Sequence, residues 1–92
     1  MEMDTKQKIL VAIYTEYQKD LPDMNSLNAQ KLELEIEVFG IALEKLENEG
    51  LIRLPKSAIT RAGMGSKVVC TYLDGTMVTP IGLDYVEGKL GY

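Results

Sequence analysis

The stretch KLELEIEVFGIALEKLENEGLI, residues 31–52, decides the fold because its two halves follow different periods. In the first half, Leu32, Leu34, Ile36 and Val38 alternate with glutamates, which is typical of a half-buried strand. In the second half, the apolar residues recur at spacings of three and four, which is typical of a helix. Only one of the two periods can govern the segment as a whole.

Helical spacing favours one long helix from Leu32 to Glu49, the third predicted helix of the chain. A single apolar stripe continues through four turns, whereas the alternation ends at Phe39. Leucine and glutamate are good helix formers, and Gly50 is a natural residue to follow a helix end. The stripe predicted to face the core consists of Leu32, Ile36, Phe39, Leu43 and Leu46.

A second row of side chains is predicted on the outward side of this helix and consists of Leu34, Val38, Ile41 and Lys45. Isolated apolar side chains are common on protein surfaces. Three aligned aliphatic side chains are also typical of a contact patch. Both interpretations stay open, and the second makes these residues a candidate interface for a protein partner or a second copy of the chain.

Before this helix, the sequence predicts one long and one short helix. Asp4 or Thr5 caps the first helix, Gln7 reaches back to the cap, and Pro22 ends the segment. Its apolar stripe consists of Leu10, Ile13, Tyr14, Tyr17 and Leu21. Asn28 is predicted to cap a short second helix that ends at Lys31 or Leu32.

After Gly50, the sequence predicts a hairpin and a last helix. The residues of LIRLP (51–55) are extended, Ile59 leads into a glycine-rich flexible tip at 62–66, and residues 68–73 lead out to a turn at Asp74-Gly75. Thr79 then caps a helix with Pro80 at its first position. The predicted core of the whole chain is Leu10, Ile13, Tyr14, Tyr17, Leu32, Ile36, Phe39, Leu43, Leu46, Ile52, Ile81 and Tyr85.

This order of elements predicts an α+β fold, a single winged helix-turn-helix domain over residues 1–92, with a three-helix core, a wing of two or three strands and a C-terminal helix. The segment ALEKLENEGLI (42–52) resembles the end of the third helix and the start of the wing in many winged-helix proteins. The tail VTPIGLDYVE (78–87) is similar to the ending that follows their wing.

With ILVAIYTEYQKDLPDM (9–24) in front and AITRAGMGSKVV (58–69) as the wing, nearly the whole chain resembles the YjcQ family, small winged-helix proteins of bacteria and their prophages. The resemblance implies the fold and implies no catalytic or ligand-binding residue.

Composition excludes several kinds of chemistry. The chain has 92 residues, no histidine and one cysteine, Cys70, so a Cys/His zinc site and histidine-based catalysis are excluded. Cys70 lies within KVVCTY, a predicted strand, and we expect a buried structural thiol there. No apolar run is long enough to cross a bilayer and the first residues do not resemble a signal peptide, so we expect a cytoplasmic protein.

Charge is divided unevenly between the third helix and the wing. From Leu32 to Gly50 there are six acidic residues and one basic residue, whereas from Leu51 to Leu73 there is no acidic residue. The wing carries four basic residues, Arg53, Lys56, Arg61 and Lys67. The acidic helix argues against reading of DNA bases, while the wing residues are candidates for contacts with DNA phosphates.

Two hypotheses follow. The first is a small regulatory protein that contacts DNA weakly through the basic wing; the alternative is a protein-interaction or dimerisation module that uses the outward row and binds no DNA. Basic residues are also common on exposed hairpins because they discourage edge pairing.

The sequence argues against an enzyme. AGMGSK (62–67) has neither the spacing of a phosphate-binding loop nor a helix after it. Glu33, Glu37, Glu44 and Glu47 lie on one flank of a single predicted helix and are interpreted as a solvated face, because a metal site needs ligands from several elements. We expect no cofactor, metal, membrane or small-molecule ligand.

Overall fold

The structure, a computed structural model, describes residues 3–63 and 67–92. Over these residues the protein is a small α+β domain with three α-helices and two small antiparallel sheets. The helices are α1 (Thr5–Tyr17), a short 3-10 helix (Met24–Ser26), α2 (Ile36–Asn48) and α3 (Pro80–Asp84), which continues into a π-helical segment (Tyr85–Lys89). The strands are β1 (Ile52–Arg53), β2 (Ile59–Ala62), β3 (Lys67–Thr71) and β4 (Met77–Val78).

The capping box predicted for α1 is confirmed. The carboxylate of Asp4 accepts a hydrogen bond from the backbone N–H of Gln7 at 2.8 Å, and the Gln7 side chain accepts from the N–H of Asp4 at 3.0 Å. Leu10 and Ile13 are buried as predicted. Leu21 is 90% exposed, because α1 ends at Tyr17 and the chain leaves the core before Leu21. The predicted apolar stripe of α1 therefore ends at Tyr17, and its extension to Leu21 was wrong.

The short second helix exists only as a single turn. The side chain of Asn28 accepts from the N–H of Lys31 at 2.8 Å, and the N–H of Leu32 donates to the carbonyl of Asn28. The turn closes at Glu33, whose φ is +58°, and the N–H of Leu34 donates to the carbonyl of Ala29 at 2.8 Å. This pairing around a left-handed residue is a Schellman motif, which ends a helix.

Residues 31–52 therefore form neither one strand nor one continuous helix. The chain from Leu32 to Glu35 is neither strand nor part of the long helix, because the Schellman turn at Glu33 interrupts it. From Ile36 to Asn48 the helical period governs, as predicted, and Phe39, Leu43 and Leu46 are fully buried. The predicted start of the long helix at Leu32 was wrong, and Leu32 is only partly buried.

The two small sheets are parts of one hairpin. Ile52 pairs with Val78 in one sheet, and Ile59 pairs with Thr71 in the other. The distance along the chain from Ile52 to Ile59 equals that from Thr71 to Val78, so the two sheets share one register. The register shifts only beyond Thr60, where Val69 is an extra residue in β3. Of the predicted flexible tip at 62–66, residues 64–66 lie outside the described residues.

The bulge at Val69 also corrects the prediction for Cys70. Val68 is buried, and strict alternation would place Cys70 on the same face two residues later. The extra residue breaks that alternation, and Cys70 is exposed. Cys70 is therefore not a buried structural thiol.

The buried face of the last helix is shifted by one residue from the predicted face. Thr79 caps α3 and Pro80 begins it, as predicted. The buried positions are Gly82 and Val86, whereas Ile81 is 61% exposed and its assignment to the core was wrong. Tyr85 packs partly buried against the core. The largest fully buried side chains are Phe39, Ile9, Leu10, Ile13, Leu43, Leu46, Ile52, Leu73 and Val86.

Candidate nucleic-acid interface on the hairpin

The basic residues of the predicted wing are spread along the hairpin. Arg53 is exposed in β1 opposite Met77, Lys56 is exposed in the turn that follows Pro55, and Lys67 is exposed at the start of β3. We call Arg53, Lys56 and Lys67 the exposed hairpin cations. They lie on residues 51–73, which contain no acidic residue, and the one acidic residue of the hairpin, Asp74, lies in the turn before β4.

Arg61, the fourth basic residue, differs from the other three. It pairs in β2 with Val68, the buried residue of β3, and its guanidinium donates to the carboxylate of Glu44 on α2. Its charge is therefore matched within the molecule. The sequence predicted all four basic residues as candidate phosphate contacts, and in the structure one of them, Arg61, contacts the acidic helix.

The acidic flank of α2 faces the hairpin. Beside the contact between Glu44 and Arg61, the carboxylate of Glu37 accepts from the backbone N–H of Val68 at 2.8 Å. The carboxylate of Glu47 accepts from the N–H of Leu54 at 2.9 Å. We call Glu37, Glu44 and Glu47 the docking glutamates. Glu33, which was predicted to share their flank, lies in the turn before the helix.

The docking glutamates were interpreted from sequence as a solvated face, and that interpretation was incomplete. Their spacing places them on one side of α2, and the segment that follows α2 has basic residues and no acidic ones. The opposite charges of α2 and of the segment that follows it are the sequence feature from which packing of the two elements could have been predicted. No sequence pattern indicated that Glu37 and Glu47 accept hydrogen bonds from backbone N–H groups.

Close packing brings the hairpin against α2 at Gly40. A Cβ atom on Gly40 would lie 2.7 Å from Cγ2 of Val68, so only glycine permits the observed approach of the helix and β3. Beside this contact, a cleft of about 300 Å³ separates α2 from the hairpin and is lined by both signs of charge, including Glu44, Lys56 and Arg61.

The outward row is only partly realised. Val38 and Ile41 are 41% and 39% exposed, and with Lys45 they line a cleft of about 440 Å³ beside the first residues of α1. Leu34 is not part of this row, because it lies before α2 and packs partly buried against the core. The predicted interface of four residues is therefore reduced to three.

Other features of the described residues bear on the type of site. No group of three histidine, cysteine, aspartate or glutamate residues within 3–63 and 67–92 is placed to hold a metal ion. Over the same ranges, the helices are too short and too polar to span a bilayer.

Comparison with protein-family models, with curated proteins and with solved structures found no match to this chain. The interpretation of the site therefore depends on its geometry and charge.

Proposed function

We propose that the protein is a small winged-helix module, without enzymatic activity, that contacts the DNA backbone through its hairpin. The order of a short helical turn, α2, a hairpin and α3 is compatible with a winged-helix arrangement. One observation carries the functional proposal: three exposed cations stand on residues 51–73, a segment of the hairpin that contains no acidic residue, while the glutamates of α2 that face the hairpin are occupied by contacts with it.

The proposed contact reads charge rather than sequence. The outward side of α2 presents Val38, Ile41 and Lys45, and only Lys45 belongs to the residue types that commonly contact base edges. Phosphate contacts position a protein on DNA without reporting the base sequence. Three such contacts correspond to a slope of about −2.7 in log K against log salt, so binding is weak at the ionic strength of a cell.

The test compares binding of labelled generic duplex DNA by two triple variants with that of the parent at about 50 mM salt. The first variant replaces the exposed hairpin cations, Arg53, Lys56 and Lys67, with glutamine. The control replaces three exposed lysines elsewhere, Lys8, Lys31 and Lys89, with glutamine and so changes net charge equally. The proposal expects the first variant to lose binding and the control to keep most of it. Equal losses, or no binding by the parent, would contradict it.

A second candidate function is self-association through the outward side of α2. The exposed side chains of Val38 and Ile41 favour it, because they line an apolar cleft that also carries Lys45 and Asp4. Two copies that meet across this cleft would bring opposite charges together around an apolar centre. Sedimentation equilibrium of the parent and of Val38→Lys/Ile41→Lys tests this function: a parent that is monomeric at all concentrations contradicts it.

The resemblance to the YjcQ family, with its bacterial or prophage setting, and the cytoplasmic location remain predictions from the sequence. Binding of DNA by the hairpin would fit both predictions, and neither prediction carries the proposal.

A further inference from the structure

We propose that the hairpin binds single-stranded nucleic acid more tightly than duplex DNA, because Tyr72 stacks on an unpaired base between two of the exposed hairpin cations. The inference rests on the proposed function, since it uses the same cations and names the form of nucleic acid that they hold best. Stacking on a side chain needs a base with an open face, which a single strand offers and a duplex does not. The ring of Tyr72 therefore adds to binding only where the strand is single.

The register of the strands places Tyr72 on the solvent face of the hairpin. Cys70 of β3 pairs with Thr60 of β2, and both residues are exposed. Side chains alternate between the faces of a strand, so Tyr72, two residues after Cys70, shares their face. The N–H of Tyr72 donates to the carbonyl of Ala58 at 2.7 Å, which continues the pairing of the two strands. Tyr72 is 47% exposed, so its ring is open to a ligand.

Basic residues lie on both sides of Tyr72 along the hairpin. Toward the tip, Lys67 pairs with Ala62, which is two residues after Thr60, so Lys67 belongs to the same solvent face. In the other direction, Lys56 lies in the turn just before the residue whose carbonyl binds the N–H of Tyr72. A strand laid along the hairpin thus meets a cation, an aromatic ring and a second cation in order. Cations that follow the backbone and rings that stack on bases are the combination that binds single strands.

The exposed position of Tyr72 distinguishes it from most tyrosines of the chain. The hydroxyls of Tyr14 and Tyr85 form hydrogen bonds within the protein, and Tyr17 packs against the core. Tyr72 is the one aromatic residue in the sequence of the hairpin, residues 52–78. Tyr92 is also exposed, at 55%, but lies near the C-terminus and outside the hairpin. Tyr92 is therefore the matched control for substitutions of Tyr72.

The experiment measures binding of labelled oligothymidylate of about 20 nucleotides and of a generic duplex by the parent, Tyr72→Ile, Tyr72→Phe and Tyr92→Ile. The parent should bind the single strand more tightly at about 50 mM salt, with a shallower slope in log K against log salt, about −2.1 instead of −2.7. Tyr72→Ile should weaken binding of the single strand by about 5- to 150-fold, the loss of one stacked base, and leave duplex binding unchanged. Tyr72→Phe and Tyr92→Ile should match the parent.

Fluorescence gives a direct signature of stacking. The chain contains no tryptophan, so Tyr72→Trp and Tyr92→Trp each introduce a single reporter. Oligothymidylate should quench the fluorescence of Tyr72→Trp, because the indole stacks on a base, and should leave that of Tyr92→Trp unchanged. Labelled oligouridylate of the same length should also bind through Tyr72, and its affinity relative to oligothymidylate assigns the strand to RNA or DNA.

The outcomes separate the inference from the proposed function. If the duplex binds through the exposed hairpin cations and the single strand binds no more tightly, or if Tyr72→Ile binds it as the parent does, the inference fails and the proposed function stands. Equal losses in Tyr72→Ile and Tyr92→Ile also overturn the inference. Binding of the single strand through Tyr72 without binding of the duplex supports the inference and overturns contact with duplex DNA. No binding of either overturns both.

A stability measurement excludes an indirect effect through the fold. Isoleucine suits a strand as well as tyrosine does, so urea unfolding of Tyr72→Ile should match that of the parent. If Tyr72→Ile is destabilised, the quenching of Tyr72→Trp decides: quenching by oligothymidylate supports the inference, and its absence while the strand is bound overturns the inference.

Discussion

Gly40 determines how closely β3 of the hairpin can approach α2. A methyl group there would meet both γ-carbons of Val68, at 2.7 and 2.9 Å, and Val68 is itself buried. The contact is between α2 and the second residue of β3, whose N–H also donates to Glu37, so neither side can move without disturbing the hydrogen bonds of the docked hairpin.

Gly40→Ala should therefore lower the free energy of unfolding by about 1 to 3 kcal/mol, the usual cost of overpacking. Urea unfolding of the variant and the parent measures the difference. Gly88→Ala is the control: a Cβ atom at Gly88 would meet nothing within 4 Å, so that variant should be neutral or stabilised by about 0.4 to 1 kcal/mol. Equal stability of Gly40→Ala and the parent would mean that β3 does not pack on α2 as described.

Glu16 is a buried carboxylate that fixes the chain after α1. It accepts hydrogen bonds from the backbone N–H of Asp23 at 2.9 Å and from the ammonium group of Lys19 at 3.0 Å. The hydrogen bond from Asp23, and then that from Lys19, lower the pKa of Glu16 below its usual value.

Because the pKa of Glu16 is lower in the folded state, its contribution to stability is complete above the pKa of the unfolded chain. It is lost as the pH falls through the folded pKa. The parent should thus lose more stability between pH 7 and about pH 3 than Glu16→Gln does. Urea midpoints at the two pH values test this prediction. Parallel losses in the two proteins would show that the charge of Glu16 does not stabilise the fold.

At the scale of elements, Thr79 joins the start of α3 to the end of α2. Its hydroxyl accepts from the N–H of Gly82 at 3.0 Å and donates to the carbonyl of Gly50. Thr79→Ala should lower stability by about 0.5 to 2 kcal/mol, as for other helix caps. Thr79→Ser keeps the hydroxyl and should retain most of the stability. If the two variants melt at the same temperature, the cap does not contribute.

Elements with a strong local signal were predictable from sequence. The capping box of α1, the buried face of α2 and the turn at Gly75 each depend on residues close together in the chain. The break at Glu33 was missed because a glutamate rarely adopts the left-handed backbone conformation and because the neighbouring residues are good helix formers. No local pattern distinguishes that turn from a continuing helix.

The face of α3 was mispredicted because its tightest contact is made by a residue without a side chain. A Cβ atom on Gly82 would lie 2.0 Å from the carbonyl oxygen of Leu51, so the helix approaches β1 along its glycine side. A prediction from hydrophobic periodicity considers only apolar side chains, so it placed Ile81 and Tyr85 on the buried face of α3 in preference to Gly82 and Val86. The exposure of Cys70 was missed for a related reason, since a bulge leaves no hydrophobic signature.

Of the candidate site, the sequence located the basic hairpin and the acidic helix but not their contact. Arg61 and Glu44 are far enough apart in the chain that only the docking of the hairpin brings them together. Leu34 does not belong to the outward row because the turn at Glu33 makes α2 begin at Ile36, after Leu34. Pairing between elements depends on tertiary structure, and a period within one element does not report it.

On the scale of the whole molecule, the net charge of −4 conceals a division that matters for binding. The docking glutamates are directed into the contact between α2 and the hairpin, whereas the exposed hairpin cations remain on the surface. An acidic protein can in this way present basic residues on one element, although long-range repulsion by its other carboxylates would weaken the proposed association with DNA.

The most direct test of this account is the salt dependence of binding of generic duplex DNA by the unmodified protein, followed by fluorescence anisotropy between about 50 and 200 mM salt. We predict measurable binding at the lower salt concentration and a slope of about −2.7 in log K against log salt, from three phosphate contacts. No binding at about 50 mM salt, or affinity that does not change with salt, would contradict contact through the hairpin and favour self-association through α2.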